Sequence, residues 1–236
     1  MKAATLKALL KARLDKAATA LITDLKSGAQ ALVVDGADSG DIKLGPALRR
    51  FVDDALTADR GITADLDGRR YFIQVFNPPR RLIIVGAVHI GQVFAPMAAL
   101  AGYEVIVVDP RGAFATEARF PGVTLNSEWP DDALDALDID KRTAVVTLTH
   151  DPKLDDPALK VALARDPFYI GALGSKKTHA SRVKRLTAAG IPAQAIERIH
   201  APVGLDIGAV SPAEIAVSIL AQMTAALHRK PARTEP

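Results

Sequence analysis

The 236-residue chain contains no cysteine, and this absence excludes several kinds of site at once. Disulfide bonds, thiolate metal ligands and cysteine nucleophiles are impossible within the chain. The five histidines are not spaced as the histidine ligands of a metal site usually are. We therefore predict no metal site in this protein.

Aromatic residues are also scarce, at 5% of the chain, and the net charge is only +3, with lysine and arginine spread along the sequence. Nucleic-acid-binding proteins usually combine basic patches with aromatic stacking platforms, so these features argue against nucleic acid as a partner. No apolar run approaches the roughly 18 residues that a transmembrane helix needs. Residues 1–25 carry charges throughout, unlike a secretory signal. We expect a cytoplasmic protein that does not bind membranes.

Residues 1–78 predict a small N-terminal α/β domain. Apolar residues recur at helical spacing in residues 2–15, and a second helix begins at Gly45-Pro46. Asp67-Gly68 lies between two runs of alternating polarity and predicts a hairpin with a type I′ turn. Strands are predicted at residues 18–25, at residues 31–36 and on both sides of Asp67-Gly68.

Residues 79–236 predict a larger α/β domain with a Rossmann-like, doubly wound parallel sheet. Asn77-Pro78-Pro79 lacks amide donors at both prolines, which favours an extended linker before this domain. Strands of continuous apolar character then alternate with helical segments, as in a parallel sheet covered on both faces. The predicted strands are residues 81–86, 103–109, 123–126, 144–149 and 168–174.

The first candidate site, the Gly86 turn (residues 86–91), lies between the first strand of this sheet and its first helix. Backbone amides of such a turn and the following helix N-terminus can bind a pyrophosphate. Asp109 ends the second strand, where an acidic residue can accept hydrogen bonds from a ribose. Val88 replaces the middle glycine of the G-x-G-x-x-G pattern. The turn therefore predicts either a nucleotide site with displaced phosphates or a purely structural Rossmann turn.

The second candidate, the Thr149 segment (residues 149–151), ends the fourth strand. Ligands of open α/β sheets bind at the carboxyl ends of strands, so a polar triplet there is well placed for recognition. His150 and Asp151 are the best acid–base candidates in the chain. The alternative is that Asp151 caps the turn before Pro152 and His150 is solvated.

The third candidate, the Lys176 turn (residues 171–177), ends the fifth strand, with Ser175 as the predicted N-cap of the next helix. Lys176 and Lys177 in the first turn oppose the helix dipole, and a bound phosphate would relieve that cost. His179 and Arg182 on the same helix extend the site. The alternative is a solvated basic helix face.

The fourth candidate is the Gly204 loop (residues 200–208), which is long for a simple connection. Ser211-Pro212-Ala213-Glu214 follows it as a capping box, which is a structural feature.

Residues 81–229 resemble the XdhC/CoxI family, the accessory factors of molybdenum hydroxylases. The motifs that carry the resemblance are, in order, GAVHIG from Gly86, VVDPR ending at Arg111, THD from Thr149 with Asp155 downstream, YIGALGSKK from Tyr169, HAPVGLDIGA from His200 and SPAEIA from Ser211. The family is understood to bind molybdenum cofactor and to help load it into enzymes such as xanthine dehydrogenase or carbon monoxide dehydrogenase.

The resemblance implies that the four segments cluster near the carboxyl edge of the sheet and bind molybdenum cofactor, as molybdopterin or its dinucleotide. FAD or NAD is the alternative ligand. The residues assigned to cofactor binding are Gly86, Ala87, Val88, His89, Gly91, Asp109, Arg111, Thr149, His150, Gly171, Gly174, Ser175, Lys176, Lys177, Gly204 and Asp206.

The N-terminal third departs from the family pattern. Members with a full N-terminal domain carry a GGCxE-like motif before a helix, whereas Pro46 stands where that cysteine would fall. Autonomous sulfuration is therefore in doubt, and a separate cysteine-bearing family member is a predicted partner besides the hydroxylase client. We also expect a homodimer.

Three functions remain open from the sequence. The leading one is a non-catalytic carrier of molybdenum cofactor, because the chain has no recognisable nucleophile–base or metal-ligand set. The second is an FAD- or NAD-binding maturation factor with a possible redox role. The third is a scaffold that only supports assembly.

Overall fold

The computed structural model describes residues 1–228, so the last residues of the predicted second domain, 229–236, lie outside the described part. The chain separates into two compact units, Met1–Pro78 and a second that begins at Pro79. Their assignment as two domains stays a prediction. Within residues 1–228 no helix has the length and apolar character needed to cross a membrane.

The N-terminal unit is an antiparallel sheet with one helix on each face, in the strand order β3-β2-β1-β5-β4. Val52 of the second helix packs on one face beside Ile22 and Ile73, and Leu9 of the first helix packs on the other beside Leu21. Its elements are α1 (Ala3–Leu14), β1 (Thr19–Asp24), β2 (Gln30–Val34), β3 (Ala37–Gly40), α2 (Pro46–Ala58), β4 (Ile62–Leu66) and β5 (Arg69–Phe76).

Two Asp-Gly turns shape this sheet. Asp67 and Gly68 have φ values of 51° and 71°, so the predicted type I′ turn between β4 and β5 is confirmed. Asp35 and Gly36, with φ values of 45° and 84°, join β2 to β3 in the same way. The sequence pattern did not predict β3, because its four residues are all exposed and show no alternation of polarity.

The C-terminal unit has six parallel strands in the order β11-β10-β9-β6-β7-β8, which confirms the predicted Rossmann-like, doubly wound α/β fold. Its elements are β6 (Arg80–Val85), α3 (His89–Leu100), β7 (Tyr103–Val108), β8 (Thr124–Asn126), α4 (Pro130–Ala136), β9 (Thr143–Thr147), α5 (Pro152–Ala164), β10 (Tyr169–Ala172), α6 (Lys176–Ala188), α7 (Ala193–Ile196), β11 (Ile199–His200) and α8 (Pro212–Leu227).

Side chains of the central strand β6 alternate between two apolar layers. Leu82 and Ile84 face the layer that contains α3 and α8, whereas Ile83 and Val85 face the layer that contains α4, α5 and α6. A strand buried on both faces needs apolar residues at every position, and this explains its unbroken apolar run.

The order of the strands reverses between β6 and β9. The chain moves from β6 to β7 and β8 on one side, then returns to form β9, β10 and β11 on the other. Loops at the carboxyl ends of the strands diverge at such a switch point, and the crevice between them is the usual ligand site of open α/β sheets.

Candidate functional site

The Gly86 turn lies against the Thr149 segment at this switch point. Gly86 is buried with a φ of 112°, and a Cβ on it would lie 2.5 Å from the Thr149 methyl carbon. A Cβ on Gly91 would approach the Gly86 carbonyl oxygen to 3.1 Å. Close packing and the positive φ therefore favour glycine strongly at position 86, whereas a Cβ at position 91 would require the turn to shift by a few tenths of an ångström. Val88 packs against the α3–α8 apolar layer, and His89 is exposed.

Asp109 joins the end of β7 to the same turn. Its carboxylate accepts hydrogen bonds from the Ala87 amide (2.8 Å) and from the amide, Nε and Nη2 of Arg111 (3.0, 2.9 and 2.7 Å). Burial alone would raise the pKa of Asp109, but the hydrogen bonds from Arg111 and Ala87 outweigh it and hold the pKa below its usual value. Because the carboxylate is fully buried, a ribose could be bound here only if Arg111 moved away.

Replacing Asp109 with asparagine is expected to lower the free energy of unfolding by about 2 kcal/mol at neutral pH, since hydrogen bonds to a charged group contribute roughly 1.5–3 kcal/mol. Because the pKa of Asp109 is lower in the folded protein than in the unfolded chain, its charged carboxylate stabilises the fold fully at pH values above 3.8. This stabilisation is lost as the pH falls through the lower pKa of the folded protein. The difference between wild type and Asp109→Asn should therefore shrink on acidification. Urea unfolding of both proteins, with exposed Asp206→Asn as the control, measures this; a difference that does not depend on pH would contradict it.

In the Thr149 segment, the structure places side chains in capping and packing roles. The Thr149 hydroxyl donates to Asp155 Oδ1 (2.6 Å) and accepts from the Asp151 amide (3.0 Å). Asp151 is the N-cap of α5 and accepts from the Lys153 amide (2.9 Å). His150 is exposed, with a φ of 63° that is uncommon for a residue other than glycine. The capping role foreseen as the alternative for Asp151 is thus present, and acid–base chemistry by His150 and Asp151 stays a prediction.

The Lys176 turn presents its two lysines to different cavities. Gly174 has a φ of 134°, and Ser175 caps α6 by accepting from the Thr178 amide (3.1 Å), as predicted. Lys176 lines a cavity of about 400 Å³ together with the Gly204 loop, whereas Lys177 lines another of about 250 Å³ between α5 and α6.

Gly171, in β10, has a packing role. A Cβ on it would lie 2.6 Å from a Val203 methyl carbon and 2.9 Å from the Tyr169 ring. Because Gly171 is buried, its contribution to a ligand site is to let the Gly204 loop approach β10.

The Gly204 loop is held by Gln222, which the sequence motifs did not single out. The Gln222 side chain accepts from the Gly204 amide (2.9 Å) and from the Tyr169 hydroxyl (2.6 Å), and it donates to the Gly204 carbonyl (3.2 Å). Gly204 has a φ of 96°, and a Cβ on it would lie 2.2 Å from Ser218 Oγ. The signal by which Gln222 could have been found is the long amide side chain in the mostly apolar stretch SILAQMTAAL, whose other polar residues are the small Ser218 and Thr224.

The cavity formed by the Gly204 loop is mostly apolar. Leu173, Val203, Leu205, Ile207 and Ile215 contribute to its walls, and Lys176 and exposed Asp206 add one charge of each sign. The structure thus brings the Lys176 turn and the Gly204 loop to one cavity, and it brings the Gly86 turn and the Thr149 segment into contact with each other.

Comparison with known proteins agrees with this architecture. The XdhC Rossmann domain family matches residues 82–223. The xanthine dehydrogenase crystal structure from Bacillus halodurans matches with a TM-score of 0.74 and 25% sequence identity, over 99% of this chain and 66% of that chain.

Three curated relatives share about a third or more of the aligned residues. A probable xanthine dehydrogenase subunit of Bacillus subtilis is 37% identical over 153 residues, covering 64% of this chain and 44% of that protein. The molybdenum cofactor insertion chaperone PaoD of Escherichia coli is 33% identical over 156 residues, covering 66% of this chain and 43% of that protein. The uncharacterized protein YqeB of Escherichia coli is 33% identical over 162 residues, covering 68% of this chain and 30% of that protein. The chain thus spans less than half the length of each relative.

Proposed function

Because the chain belongs to the XdhC family, we propose that it binds molybdenum cofactor and assists its insertion into a molybdenum hydroxylase of the xanthine dehydrogenase or carbon monoxide dehydrogenase type. The cofactor is cargo in this proposal, and the chain is a carrier. The client enzyme is a partner that accepts the cargo, and a homodimer is the proposed state of the carrier.

The cavity of the Gly204 loop carries this proposal. Its volume of about 400 Å³ falls within the range of small-molecule sites, which are mostly apolar with a few placed polar groups. Apolar walls can cover the faces of a flat pterin ring, and Lys176 at the rim can attract its phosphate. The bonds from Gln222 and the stacking of Tyr169 on His200 (4.8 Å between ring centroids) hold the wall in place before a ligand arrives.

A dinucleotide such as FAD or NAD is the second candidate ligand. The Gly86 turn favours it, because this turn connects the central strand to α3 at the switch point. The Asp109–Arg111 pair argues against it, since the carboxylate that would accept the ribose hydroxyls is already saturated. A redox role would follow only if a flavin or nicotinamide were retained.

The absence of cysteine limits what the carrier can do with sulfur. A persulfide cannot form on this chain, so sulfuration of the cofactor would require another protein. We propose that a cysteine-bearing family member supplies that step where the client needs it.

Changing Ile207 to glutamate is expected to weaken molybdopterin binding at least tenfold, or about 1.4 kcal/mol. The side chain lines the cavity and is 56% exposed, so a carboxylate there adds polarity and negative charge without disturbing the core. Leu100→Glu is the matched control, because Leu100 is 91% exposed at the end of α3 and lies outside the cavity.

Fluorescence titration of the purified full chain with molybdopterin measures both affinities. Mass spectrometry of ligand released after co-expression identifies what the protein retains. Retention of flavin in place of a pterin would favour the second candidate, and equal pterin affinity for the Ile207→Glu and Leu100→Glu variants would contradict the placement of the ring in this cavity.

A further inference from the structure

Beneath the Thr149 segment lies a buried ion pair that is incompletely satisfied. Arg182 on α6 is 1% exposed, and its Nη2 donates to the Leu173 carbonyl (2.8 Å) and lies 3.6 Å from Asp155 Oδ2. Among the described residues, Arg182 Nε and Nη1 and Asp155 Oδ2 have no hydrogen-bond partner. An unsatisfied buried donor of a charged group costs free energy, and an ordered water or a bound ion that accepts from it would remove this cost.

Arg182 and Asp155 both line the cavity between α5 and α6. The cavity holds about 250 Å³, several times the roughly 30 Å³ that one water molecule occupies in the liquid. The cavity is also lined by His150, Pro152, Lys177, Thr178, Ser181 and Arg185. Ammonium, hydroxyl and guanidinium donors therefore surround one space.

The charges around this cavity leave a positive excess. Arg185 is already paired with Asp156, at 2.5 and 3.0 Å. Among the described residues that line the cavity, Asp155 is the one acidic side chain, and it faces the two positive charges of Arg182 and Lys177. Burial raises the pKa of Asp155, which reduces the repulsion that its carboxyl would exert on an anion. The Thr149 hydroxyl occupies Oδ1 and holds this carboxyl toward Arg182.

We propose that this cavity is a binding site for a tetrahedral oxyanion of the phosphate class, with Arg182 as its central donor. Arg182 binds the anion through Nε and Nη1, two donors of the planar guanidinium fork that suits the oxygens of one phosphate. Ser181, Thr178 and Lys177 donate at the rim. The site is distinct from the apolar cavity of the Gly204 loop, because the two have no lining residue in common.

A calorimetric titration of the full chain with inorganic phosphate tests this proposal. Ser181→Asp places a carboxylate in the cavity from an exposed position, and we expect it to weaken phosphate binding at least tenfold. Ala188→Asp is the matched control, since it adds the same charge on the same face of α6 about 10 Å further along the helix. It should bind phosphate as the wild type does.

Arg182→Gln should also lose phosphate binding, because it removes the charge and keeps a hydrogen-bonding side chain. Since Arg182 is buried, the circular dichroism and thermal unfolding of this variant must be compared with those of the wild type; the Ser181→Asp variant tests the proposal if Arg182→Gln fails to fold. Absence of phosphate binding to the wild type at concentrations on the order of 10 mM, or equal binding to Ser181→Asp, would overturn the proposal and leave the cavity to water.

A second arm of the experiment identifies the source of the anion. If adenosine monophosphate binds more tightly than inorganic phosphate, and if this difference disappears in the Ser181→Asp variant, the anion is the phosphate ester of a larger ligand. Equal affinities identify free phosphate. Pterin binding in the Ile207→Glu experiment reports on the other cavity, so failure of either proposal can be recognised separately.

Discussion

Changing Lys176 and Lys177 together to glutamate is expected to weaken binding of a pterin dinucleotide at least 100-fold, which corresponds to about 2.7 kcal/mol. The two side chains are exposed in the first turn of α6, and each lines a different cavity. In the cavity of the Gly204 loop the double change replaces the attraction of Lys176 for the ligand's phosphates by repulsion, and the reversed charge of the adjacent Lys177 adds repulsion from a longer distance.

The first turn of α6 strengthens this expectation. Lysines at a helix N-terminus are electrostatically unfavourable, because the backbone amides there already present partial positive charge. The same features favour a phosphate, which can accept from amides and lysines together. Glutamates at these positions should therefore leave the helix intact, or stabilise it slightly, while they abolish binding.

Titrations of the double variant and of a control measure the effect. Lys160→Glu with Lys184→Glu changes the net charge by the same amount from exposed positions on α5 and α6. Binding that falls equally in both double variants would mean that only net charge matters. Undiminished binding by the Lys176→Glu, Lys177→Glu protein would place the phosphates elsewhere.

The single variants separate the two cavities. Lys176→Glu should weaken ligand binding in the cavity of the Gly204 loop more than Lys177→Glu does, because Lys176 lines that cavity and Lys177 does not. Lys177→Glu should weaken the binding of inorganic phosphate more than Lys176→Glu does, because Lys177 lines the cavity around Arg182.

Much of the fold could be predicted because its patterns are local. The unbroken apolar run of β6 reflects burial on both faces, and the Asp67-Gly68 turn needs two residues with positive φ. The caps at Ser175 and Ser211 were also predictable, because a hydroxyl three residues before a free helical amide is a short-range signal. Strand β11 was not predictable, since two residues carry no periodicity and are fixed by pairing with β10.

The candidate site could be predicted only in part. Its glycines and lysines lie in motifs, but the partners that position them come from distant parts of the sequence. Asp155 pairs with Arg182 across two helices, and Gln222 reaches Gly204 from α8. Asp109 has the position expected of a ribose-binding residue, yet only the structure shows that Arg111 saturates its carboxylate. The pairings of Asp155 with Arg182 and of Gln222 with Gly204 depend on tertiary packing, which a pattern of residue types does not encode.

Transfer of the cargo is the second large effect that we expect. A carrier must hold its cofactor and then release it, so its affinity should fall when the client docks. The Gly204 loop suits release, because its cavity is partly open to solvent at Leu205, Asp206 and Ile207. The cofactor-loaded protein should therefore activate an apo-hydroxylase more strongly than the same amount of free cofactor.

The activity of the client enzyme tests this account most directly. Purified full chain loaded with molybdenum cofactor is mixed with apo-xanthine dehydrogenase, and xanthine oxidation is followed against the amount of carrier added. Activation should be stoichiometric with the loaded wild type, should occur with Leu100→Glu, and should be lost with Ile207→Glu. Activation no greater than that by free cofactor would contradict the account, and so would steady turnover of a small substrate by this chain alone.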